Sequence, residues 1–392
     1  MKLLHIIATT NPIAGGPLEG VRQRGIRLVQ LGHTVELVTS DDPNQRFVKE
    51  FPFAVHALGP SRSRYGFNRK LVPWLRANAS KFDAVIVNGL WQYHSFGAWR
   101  ALGKAGIPYF VFTHGMLDPW FKRTYPLKHL KKWIYWPWAE YRVLRDARAV
   151  LFTSEQERLL ARQSFWLYRA KECVVAYGTA TPPDQASELR ERFLVSNPQL
   201  RDRRVLLFLG RIHAKKGCDL LIRAFARIVP NEPTLQLIVA GPDQTRWAED
   251  LKLLVHSLGI SDRVVWPGML EGAAKWGAFY TAEVFVLPSH QENFGIAVAE
   301  ALGCGVPVLI SDKVNIWREV CSNNAGLVGA DTEDGTFKLL RDWLSLVPTQ
   351  RTEMGRNARA LFGRRFTVDA MAANLLDIVA GRTQPDCVHR GW

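Results

Sequence analysis

Residues 284–310 read VFVLPSHQENFGIAVAEALGCGVPVLI, and this stretch decides the predicted fold. The apolar run 284–287 leads into a polar turn, and a segment of helical length follows. Gly303 and Gly305 end that segment before a second apolar run at 306–310. Short apolar runs on both sides of a helix are typical of buried parallel strands joined by a crossover helix. The stretch therefore predicts a strand–loop–helix–strand unit of an α/β sheet.

The predicted loop and helix carry two glutamates, Glu292 and Glu300. If the helix begins near Gly295, the backbone N–H groups of Phe294, Gly295 and Ile296 point out of its N-terminus, where the helix dipole favours a phosphate. The carboxylates can accept hydrogen bonds from sugar hydroxyls, Glu292 from one sugar and Glu300 from a second. A diphosphate with a sugar on each side is a nucleotide-sugar.

A second motif, Gly-Arg-x-x-x-x-Lys-Gly at residues 210–217, follows the apolar run 205–209. Arg211 and Lys216 can bracket a diphosphate, arginine through its planar fork and lysine as a point charge. The negative charge that develops on such a leaving group is stabilised either by fixed cations or by a metal held by carboxylates. Neither Asp41-Asp42 nor the acidic turn 331–334 gives the Asp-x-Asp arrangement usual for such a metal. The sequence therefore predicts no metal and no other cofactor.

The chain has 392 residues, of which 47% are hydrophobic and 22% charged, as expected for a folded protein of two domains. A first set of strands is predicted at 3–8, 33–39, 84–88, 109–113, 149–153 and 173–176, and a second set at 205–209, 235–240, 264–266, 284–287 and 306–310. Helical segments and glycine-containing loops separate many of these strands. The sequence therefore predicts an α/β fold with two doubly wound, Rossmann-like parallel sheets.

The pattern of a glutamate, seven residues and a second glutamate, in the form ENFGIAVAEAL followed by Gly-x-Pro-Val, resembles family-four glycosyltransferases of the GT-B fold. The motif at 210–217 and the segment HGMLDPW at 114–120 also resemble motifs of that family. The resemblance covers nearly the whole chain and implies two Rossmann-like domains facing across a cleft. It further implies retaining, metal-independent transfer of a hexose from a nucleotide-diphosphate sugar to a hydroxyl of a glycan or lipid-linked acceptor, in surface or exopolysaccharide biosynthesis.

The resemblance also implies roles for individual residues. Glu292 would bind the transferred sugar and His114 would reach it, so both are expected to be catalytic, while Glu300 would bind the ribose. The acceptor hydroxyl would attack from the face of the leaving group, and the donor phosphate would accept its proton. The further contacts expected are Arg211, Lys216, Phe294, Gly295 and Ile296 at the donor phosphates, Gly268, Met269 and Leu270 beside the base, and Gly15 and Gly16 in a loop at the cleft.

A Gly and Pro cluster at 178–183, after the last strand of the first sheet, and the start of the second set of strands near residue 204 predict the domain boundaries, and the resemblance adds that the last helix crosses back to the first domain. We expect an acceptor-binding domain at 1–180, a linker at 181–203, a nucleotide-sugar-binding domain at 204–367, a helix at 368–380 that crosses back to the first domain, and a tail at 381–392. The family usually has Asn-Gly-Val-Asp after the last strand of the first domain. This chain has Tyr177-Gly-Thr-Ala180 there instead.

The formal net charge of +15 favours an anionic partner, and the segment 120–148 concentrates basic and aromatic residues. Three interpretations stay open for that segment. It suits contact with an anionic membrane surface, the stacking of single-stranded nucleic acid, or an aromatic core helix with a solvated basic face. A lipid-linked acceptor would explain the membrane contact.

Cysteine usage and the N-terminal residues bear on the compartment. The five cysteines show no pairing or zinc-type spacing, which indicates a reducing cytoplasm. The first apolar run is too short for a signal peptide, and no run reaches the roughly 20 apolar residues of a membrane-spanning helix. We therefore expect a cytoplasmic protein, with any membrane contact peripheral on the inner face of the cytoplasmic membrane.

Two other functions compete with sugar transfer. A nucleotide-sugar hydrolase or epimerase on the same fold needs a base in the cleft, and the sequence does not single one out. A basic nucleic-acid-binding protein explains the charge but leaves the two glutamates and the strand-end motifs unexplained. We therefore expect a nucleotide-sugar donor and no specific nucleic-acid partner.

Overall fold

The computed structural model describes residues 1–61, 63–103, 105–243, 246–383 and 385–390. The chain forms two compact units. The first comprises Met1–Gly178 together with the C-terminal segment that begins at Val368, and the second comprises Thr179–Thr367.

The strands are, in chain order, β1 (Lys2–Ile6), β2 (Thr34–Thr39), β3 (Val55–Ala57), β4 (Ala84–Asn88), β5 (Tyr109–Phe112), β6 (Ala149–Phe152), β7 (Tyr168–Val174), β8 (Arg204–Leu209), β9 (Leu235–Ala240), β10 (Val264–Gly268), β11 (Val284–Leu287), β12 (Val308–Ser311), β13 (Gly326–Gly329) and β14 (Asp386–Arg390). The α-helices are α1 (Gly16–Gln30), α2 (Arg46–Lys49), α3 (Leu71–Asn78), α4 (Tyr93–Leu102), α5 (Trp120–Thr124), α6 (Pro126–Tyr135), α7 (Glu140–Asp146), α8 (Glu155–Ala161), α9 (Ala186–Ser196), α10 (Cys218–Ile228), α11 (Trp247–Ser257), α12 (Gly272–Thr281), α13 (Ile296–Gly303), α14 (Trp317–Ser322), α15 (Glu333–Ser345), α16 (Pro348–Arg365) and α17 (Val368–Val379).

The described residues of the first unit form one sheet in the order β14-β7-β6-β5-β4-β1-β2-β3. Its strands pair in parallel except β14, which runs antiparallel to β7. Successive residues of a strand pack into two different hydrophobic cores. Leu4 packs into one core, and its neighbour Leu3 packs into another that also contains residues of α1 and α17. Because successive side chains point to opposite faces, nearly continuous apolar strands give a sheet that is buried on both sides.

Helix α17 belongs to the first unit and packs against α1. Leu375 lies in the core, the amide oxygen of Asn374 accepts a hydrogen bond from the backbone N–H of Ala176 at 2.9 Å, and Arg27 forms an ion pair with Asp369. The last helix is therefore fixed to the first unit by both apolar and polar contacts.

The second unit contains, among its described residues, a parallel sheet in the order β10-β9-β8-β11-β12-β13. The strand order reverses between β8 and β11, because β9 and β10 lie on one side of β8 and the later strands lie on the other. Loops after two such strands leave the sheet in opposite directions and open a crevice, where open α/β sheets bind ligands. In the first unit, the reversal falls between β1 and β4.

The predicted α/β class with two parallel sheets is confirmed, but three strands were missed. β3 has only three residues, β13 carries two glycines and β14 is polar, so none gives a strong apolar signal. In β13, a Cβ on Gly326 would lie 2.0 Å from the carbonyl oxygen of Val308, so the close pairing with β12 requires glycine.

The predicted linker at 181–203 is part of the second unit. It includes α9, which packs on α12 within that unit.

The carboxyl ends of β8, β9 and β10 approach each other through glycines. The N–H of Gly241 donates to the carbonyl oxygen of Gly268 at 2.8 Å, and a Cβ on Gly241 would lie 1.8 Å from the carbonyl oxygen of Gly210. Gly241 also has a φ of +141°, which side chains rarely adopt. This edge of the sheet therefore depends on the absence of a side chain at residue 241.

We expect Gly241→Ala to lower the free energy of unfolding by about 2–4 kcal/mol, because of the collision and the backbone strain. Gly363→Ala is the matched control, since residue 363 lies within α16 and a Cβ there meets no heavy atom within 4 Å. Alanine at that helix position should stabilise by about 0.5–1 kcal/mol. Urea unfolding followed by circular dichroism measures both, and equal midpoints for the two variants would contradict this account.

Candidate active site

At the reversal of strand order in the second unit, two loops are tied together. The turn 214–217 follows β8, and the loop 288–292 follows β11. The backbone N–H of His290 donates to the carbonyl oxygen of Lys215 at 2.8 Å, and the Ser289 hydroxyl donates to the same oxygen at 3.0 Å. Gly217 adopts a left-handed conformation, and a Cβ there would lie 2.3 Å from the carbonyl oxygen of Pro288. These contacts set the distance between the two loops.

The two loops bring Lys216 and Glu292 into direct contact, with Nζ of the lysine donating to a carboxylate oxygen of the glutamate. Burial lowers the pKa of Lys216 to about 7, and the charges of Lys215 and Arg211 act in the same direction. The Glu292 carboxylate opposes this shift because it favours the ammonium form. Arg211, an exposed residue just beyond β8, adds a second cation near Lys216.

The backbone around Glu292 is fixed by the strand-like segment 313–315. The N–H of Glu292 donates to the carbonyl oxygen of Lys313 at 3.0 Å, and the N–H of Asn315 donates to the carbonyl oxygen of Glu292 at 3.0 Å. Nearby, the imidazole of His290 pairs with the Asp331 carboxylate at 2.9 Å. Glu292 therefore lies on a held loop, and Asp331, one of the acidic residues of the turn 331–334, is engaged by a histidine.

Helix α13 begins at Ile296, with Gly295 as its left-handed N-cap residue, close to the predicted start. The Phe294 side chain is buried and packs edge-on against Phe366. Glu300, one turn inside the helix, is buried and accepts a hydrogen bond from Nζ of Lys275, on α12, at 2.7 Å. The helix N-terminus therefore lies between two carboxylates that each contact a lysine.

The residues predicted beside the base lie at the end of β10. Gly268 has a φ of +74°, Met269 is exposed, and Leu270 lines a pocket of about 410 Å³ between α9 and α12. The other residues that line this pocket are Arg192, Phe193, Ser196, Asn197, Pro267, Ala273 and Ala274. Of the three predicted residues, Leu270 alone lines this pocket.

In the first unit, the predicted glycine loop precedes α1. Gly15 has a φ of +75° and is the N-cap residue, and Gly16 is the first residue of the helix. The Tyr177 hydroxyl donates to the carbonyl oxygen of Gly16 at 3.1 Å, and its ring packs against Gly20, where a Cβ would lie 1.8 Å from the hydroxyl oxygen. Tyr177, which stands where the family usually has asparagine, therefore holds the glycine loop in place.

His114 follows β5 and has a φ of +48°, which is unusual for a residue with a side chain. Its ring stacks on Phe112, and Nε2 lies 3.4 Å from the amide oxygen of Asn88. Burial lowers the pKa of His114 to about 3, and the charges of Arg24 and His94 act in the same direction. The imidazole is therefore neutral at physiological pH.

Glu157, which the sequence analysis missed, positions the loop around His114. Its buried carboxylate accepts hydrogen bonds from the Thr113 hydroxyl at 2.6 Å, from the Gly115 N–H at 2.5 Å and from the Thr153 N–H at 2.7 Å. These bonds join the ends of β5 and β6. The pattern Ser154-x-x-Glu157, which resembles a capping box, is the signal that could have identified it.

Arg24, also missed, is a fully buried cation on α1. Its guanidinium lies over the Phe112 ring at 4.5 Å, and none of its three nitrogens donates a hydrogen bond to any described residue. Burial lowers its pKa to about 10, so it remains charged. Arg24 interrupts the inward-facing stripe of Leu18, Val21 and Leu28, and that charged residue in an apolar stripe was its signal.

Within the residues that the structure describes, no three His, Cys, Asp or Glu side chains are grouped so that they could hold a metal ion. Asp41, from the adjacent aspartates, accepts hydrogen bonds from the Thr9 hydroxyl and from the backbone and hydroxyl of Thr10. It closes the loop after β1.

Comparison with known proteins assigns the family. Residues 190–361 match the family described as glycosyl transferases group 1, and residues 15–178 match the glycosyl transferase 4-like domain. The chain belongs to the group 1 glycosyltransferases. These matches confirm the family that was predicted from the motifs, the family-four glycosyltransferases.

This group 1 glycosyltransferase is similar to alpha-D-kanosaminyltransferase of Streptomyces kanamyceticus, with 28% identity over 252 residues, which are 62% of each protein. It is also similar to D-inositol 3-phosphate glycosyltransferase of Xylanimonas cellulosilytica, with 31% identity over 218 residues, or 53% of this chain and 49% of that protein. The matches span about half to three-fifths of these relatives' lengths.

The predicted GT-B fold is confirmed by solved structures. The chain matches Anabaena Alr3699/HepE, crystallised with UDP and glucose, with a TM-score of 0.76 and 18% identity over 97% of this chain and all of that one. At this level of identity, the likeness establishes the fold.

We expect Arg24→Met to raise the free energy of unfolding by about 1–3 kcal/mol, because it replaces a buried charge without hydrogen-bond partners by an apolar side chain of similar length. Arg24→Lys keeps the charge and is the matched control, which should give no such gain. Urea unfolding at neutral pH measures both variants. Destabilisation by methionine would show that the guanidinium is held by stronger interactions than the ring contact.

Proposed function

We propose that this protein is a retaining, metal-independent glycosyltransferase. It would transfer a hexose from a nucleotide-diphosphate sugar to a hydroxyl of a glycan or lipid-linked acceptor, in the synthesis of a surface or extracellular polysaccharide. The observation that carries the proposal is the contact between Lys216 and Glu292 at the strand-order reversal of the second unit. Family membership supports the reaction class, and the relatives' names include two glycosyltransferases.

The donor diphosphate would lie between Arg211, Lys216 and the N-terminus of α13. Departure of the nucleotide diphosphate leaves negative charge on its oxygens, and fixed cations and helix N–H groups stabilise that charge without reorganisation. Lys216 is poised for this role because it is half-buried and held by the Glu292 loop. A bound diphosphate would favour its ammonium form.

The two carboxylates would orient the sugars at either end of the diphosphate. Glu292 lies beside the proposed phosphate cation and would accept hydrogen bonds from the transferred hexose. Glu300 lies one turn further into α13 and is held by Lys275, so its remaining acceptor capacity would serve the ribose. Lys275 is thus proposed as a positioning residue.

The configuration at the anomeric carbon is retained if the acceptor hydroxyl attacks from the side on which the diphosphate leaves. The acceptor oxygen bonds to the anomeric carbon, the bond from that carbon to the phosphate oxygen breaks, and the hydroxyl proton passes to a phosphate oxygen. His114, with its pKa near 3, is a weak base and would contact the sugar as a neutral hydrogen-bonding group. The proposed mechanism therefore needs no separate protein base.

The donor site can be tested by calorimetry with UDP, GDP and ADP and their sugars. Glu292→Gln should keep nucleotide-diphosphate binding and abolish transfer, because it removes the carboxylate that orients the hexose. Lys216→Met should weaken binding at least tenfold, and added EDTA should change nothing. Full transfer by Glu292→Gln, or loss of binding in EDTA, would contradict the proposed site.

The same site should make binding depend on pH. The pKa of Lys216 lies near 7, so the amine is cationic below that pH and neutral above it. Nucleotide-diphosphate affinity should therefore fall as the pH rises from 6.5 to 8.5, with proton uptake on binding. Lys216→Arg keeps its charge and should flatten this dependence. A pH profile that is the same in both proteins would remove Lys216 from the phosphate site.

We further propose that the first unit binds an anionic membrane surface through α6 and its flanks. Leu127, Leu130, Ile134 and Trp138 recur near helical spacing and expose 81%, 57%, 64% and 66% of their surface. The basic residues Lys122 and Arg123 are exposed on the preceding helix. An apolar face flanked by cations is typical of a helix that lies in a membrane interface.

Part of the segment 120–148 belongs to the core of the first unit. Trp136 is fully buried and stacks on Phe165, with 4.2 Å between ring centroids, so part of the aromatic content forms core. Among the described residues, no helix combines the length and apolar character needed to cross a bilayer. We propose that any membrane contact is peripheral, and that the protein binds the inner face of the cytoplasmic membrane.

Vesicle sedimentation tests the membrane face. The double variant Leu130→Ser, Ile134→Ser should bind vesicles rich in phosphatidylglycerol at least fivefold more weakly, because it removes apolar surface from the interface. Leu253→Ser, in the second unit, removes a leucine that is 69% exposed and should change nothing. Equal binding by the two proteins would contradict a role for α6.

A further inference from the structure

The first unit contains an open pocket of about 450 Å³ to which neither the sequence motifs nor the proposed donor site assigns a role. Three aromatic side chains and two amines line it: Tyr65, Trp91, Lys131, Lys132 and Tyr135. Pockets of this size accommodate small organic ligands. The combination of flat rings and cations is specific enough to indicate a ligand class.

The pocket lies at the ligand-binding edge of the sheet. Trp91 follows the carboxyl end of β4, one of the two strands at which the strand order reverses. Its indole N–H donates to the carbonyl oxygen of Met116 at 3.0 Å, two residues beyond His114. The pocket and the His114 loop therefore share a wall.

Trp91 is held in a conformation that costs free energy. Its φ of +71° is left-handed, and such strain, about 1–3 kcal/mol, concentrates at functional sites. The backbone N–H of Trp91 donates to the buried carboxylate of Glu140 at 2.7 Å, and the Ser95 hydroxyl donates to the same oxygen at 2.9 Å. Glu140 therefore fixes the indole at the pocket before any ligand binds.

The amines of the pocket are available to an anion. Nζ of Lys132 lies 4.4 Å from the ring centroid of Trp91 and 5.3 Å from that of Phe121, and within the described part of the chain it forms no ion pair. Burial lowers its pKa to about 8, so it is still largely protonated at neutral pH. Lys131 is exposed at the rim. An anion would gain a charge-assisted hydrogen bond from each amine.

The tyrosines supply the remaining walls and a polar contact. The hydroxyls of Tyr65 and Tyr135 lie 2.5 Å apart and share a hydrogen bond, and their rings meet edge to face. The aromatic faces suit the apolar face of a sugar ring, and the paired hydroxyls retain acceptor capacity for sugar hydroxyls.

We propose that this pocket binds an anionic carbohydrate, a sugar or polyol ring that carries a phosphate or carboxylate, as part of the acceptor. The rings would stack on the carbohydrate and the two lysines would bind its anionic group. The assignment rests on the proposed function for its role as an acceptor site, but the binding itself does not depend on sugar transfer.

Calorimetry of the full chain with glucose 6-phosphate, glucose and inorganic phosphate tests the ligand class. Glucose 6-phosphate should bind at least tenfold more tightly than either fragment. Lys131→Ala should weaken it about fivefold and Lys132→Ala at least tenfold. Lys128→Ala is the matched control, since it removes the same charge from an exposed position of α6 outside the pocket. Equal binding of inorganic phosphate, or equal losses in Lys128→Ala and Lys131→Ala, would overturn the proposal.

The anionic carbohydrate could be a lipid headgroup or a soluble sugar, and competition between glucose 6-phosphate and lipid vesicles distinguishes the two. If glucose 6-phosphate releases the protein from phosphatidylinositol vesicles but not from phosphatidylglycerol vesicles, the pocket takes a lipid headgroup. If it binds without releasing the protein from either, the pocket takes a soluble or distal sugar. Both results support an anionic carbohydrate, whereas absence of glucose 6-phosphate binding in folded protein overturns it.

A measurement of nucleotide-diphosphate binding tests the proposed transferase function independently of the proposed carbohydrate pocket. Lys131→Ala, with its exposed side chain, should fold normally and bind the nucleotide as the unmodified protein does. Glucose 6-phosphate binding without any nucleotide binding would overturn the proposed transferase function alone. Nucleotide binding without glucose 6-phosphate binding would overturn the pocket assignment alone.

Discussion

A reversal of strand order in a parallel sheet is the constraint on which both candidate sites depend. Loops that leave neighbouring strands in opposite directions open a crevice at their carboxyl ends. In the second unit, this crevice receives Lys216 from the loop after β8 and Glu292 from the loop after β11. Gly217 lets these loops approach within backbone contact, so the placement of the charges follows from the sheet.

Charged groups at this edge are held by other charged groups. Lys216 contacts Glu292, and Lys275 contacts the buried Glu300. A buried carboxylate without a partner would take up a proton, and a buried amine without a partner would lose one. The paired arrangement keeps hydrogen-bonding groups of both signs inside one small region, as the proposed binding of a diphosphate between two hydroxylated sugars would require.

Much of this could be predicted from the sequence, because apolar runs and strand-end glycines are local signals. The motif at 210–217 and the stretch at 284–310 predicted Arg211, Lys216, Glu292 and Glu300 as site residues, and the structure places Lys216 beside Glu292. Lys275 escaped prediction because its partner Glu300 lies 25 residues away, and only tertiary packing joins them. The strained Trp91 and the buried Arg24 escaped because backbone conformation and burial are set by the whole unit.

The contact between Tyr177 and Gly20 has a consequence for how this chain can change. The tyrosine fills the volume that a side chain at residue 20 would need, and its hydroxyl holds the first residue of α1. The two positions are therefore epistatic. A larger residue at 20 is tolerated only if residue 177 becomes smaller, and replacement of Tyr177 by a smaller residue such as asparagine would leave a void that a bulkier residue 20 could fill.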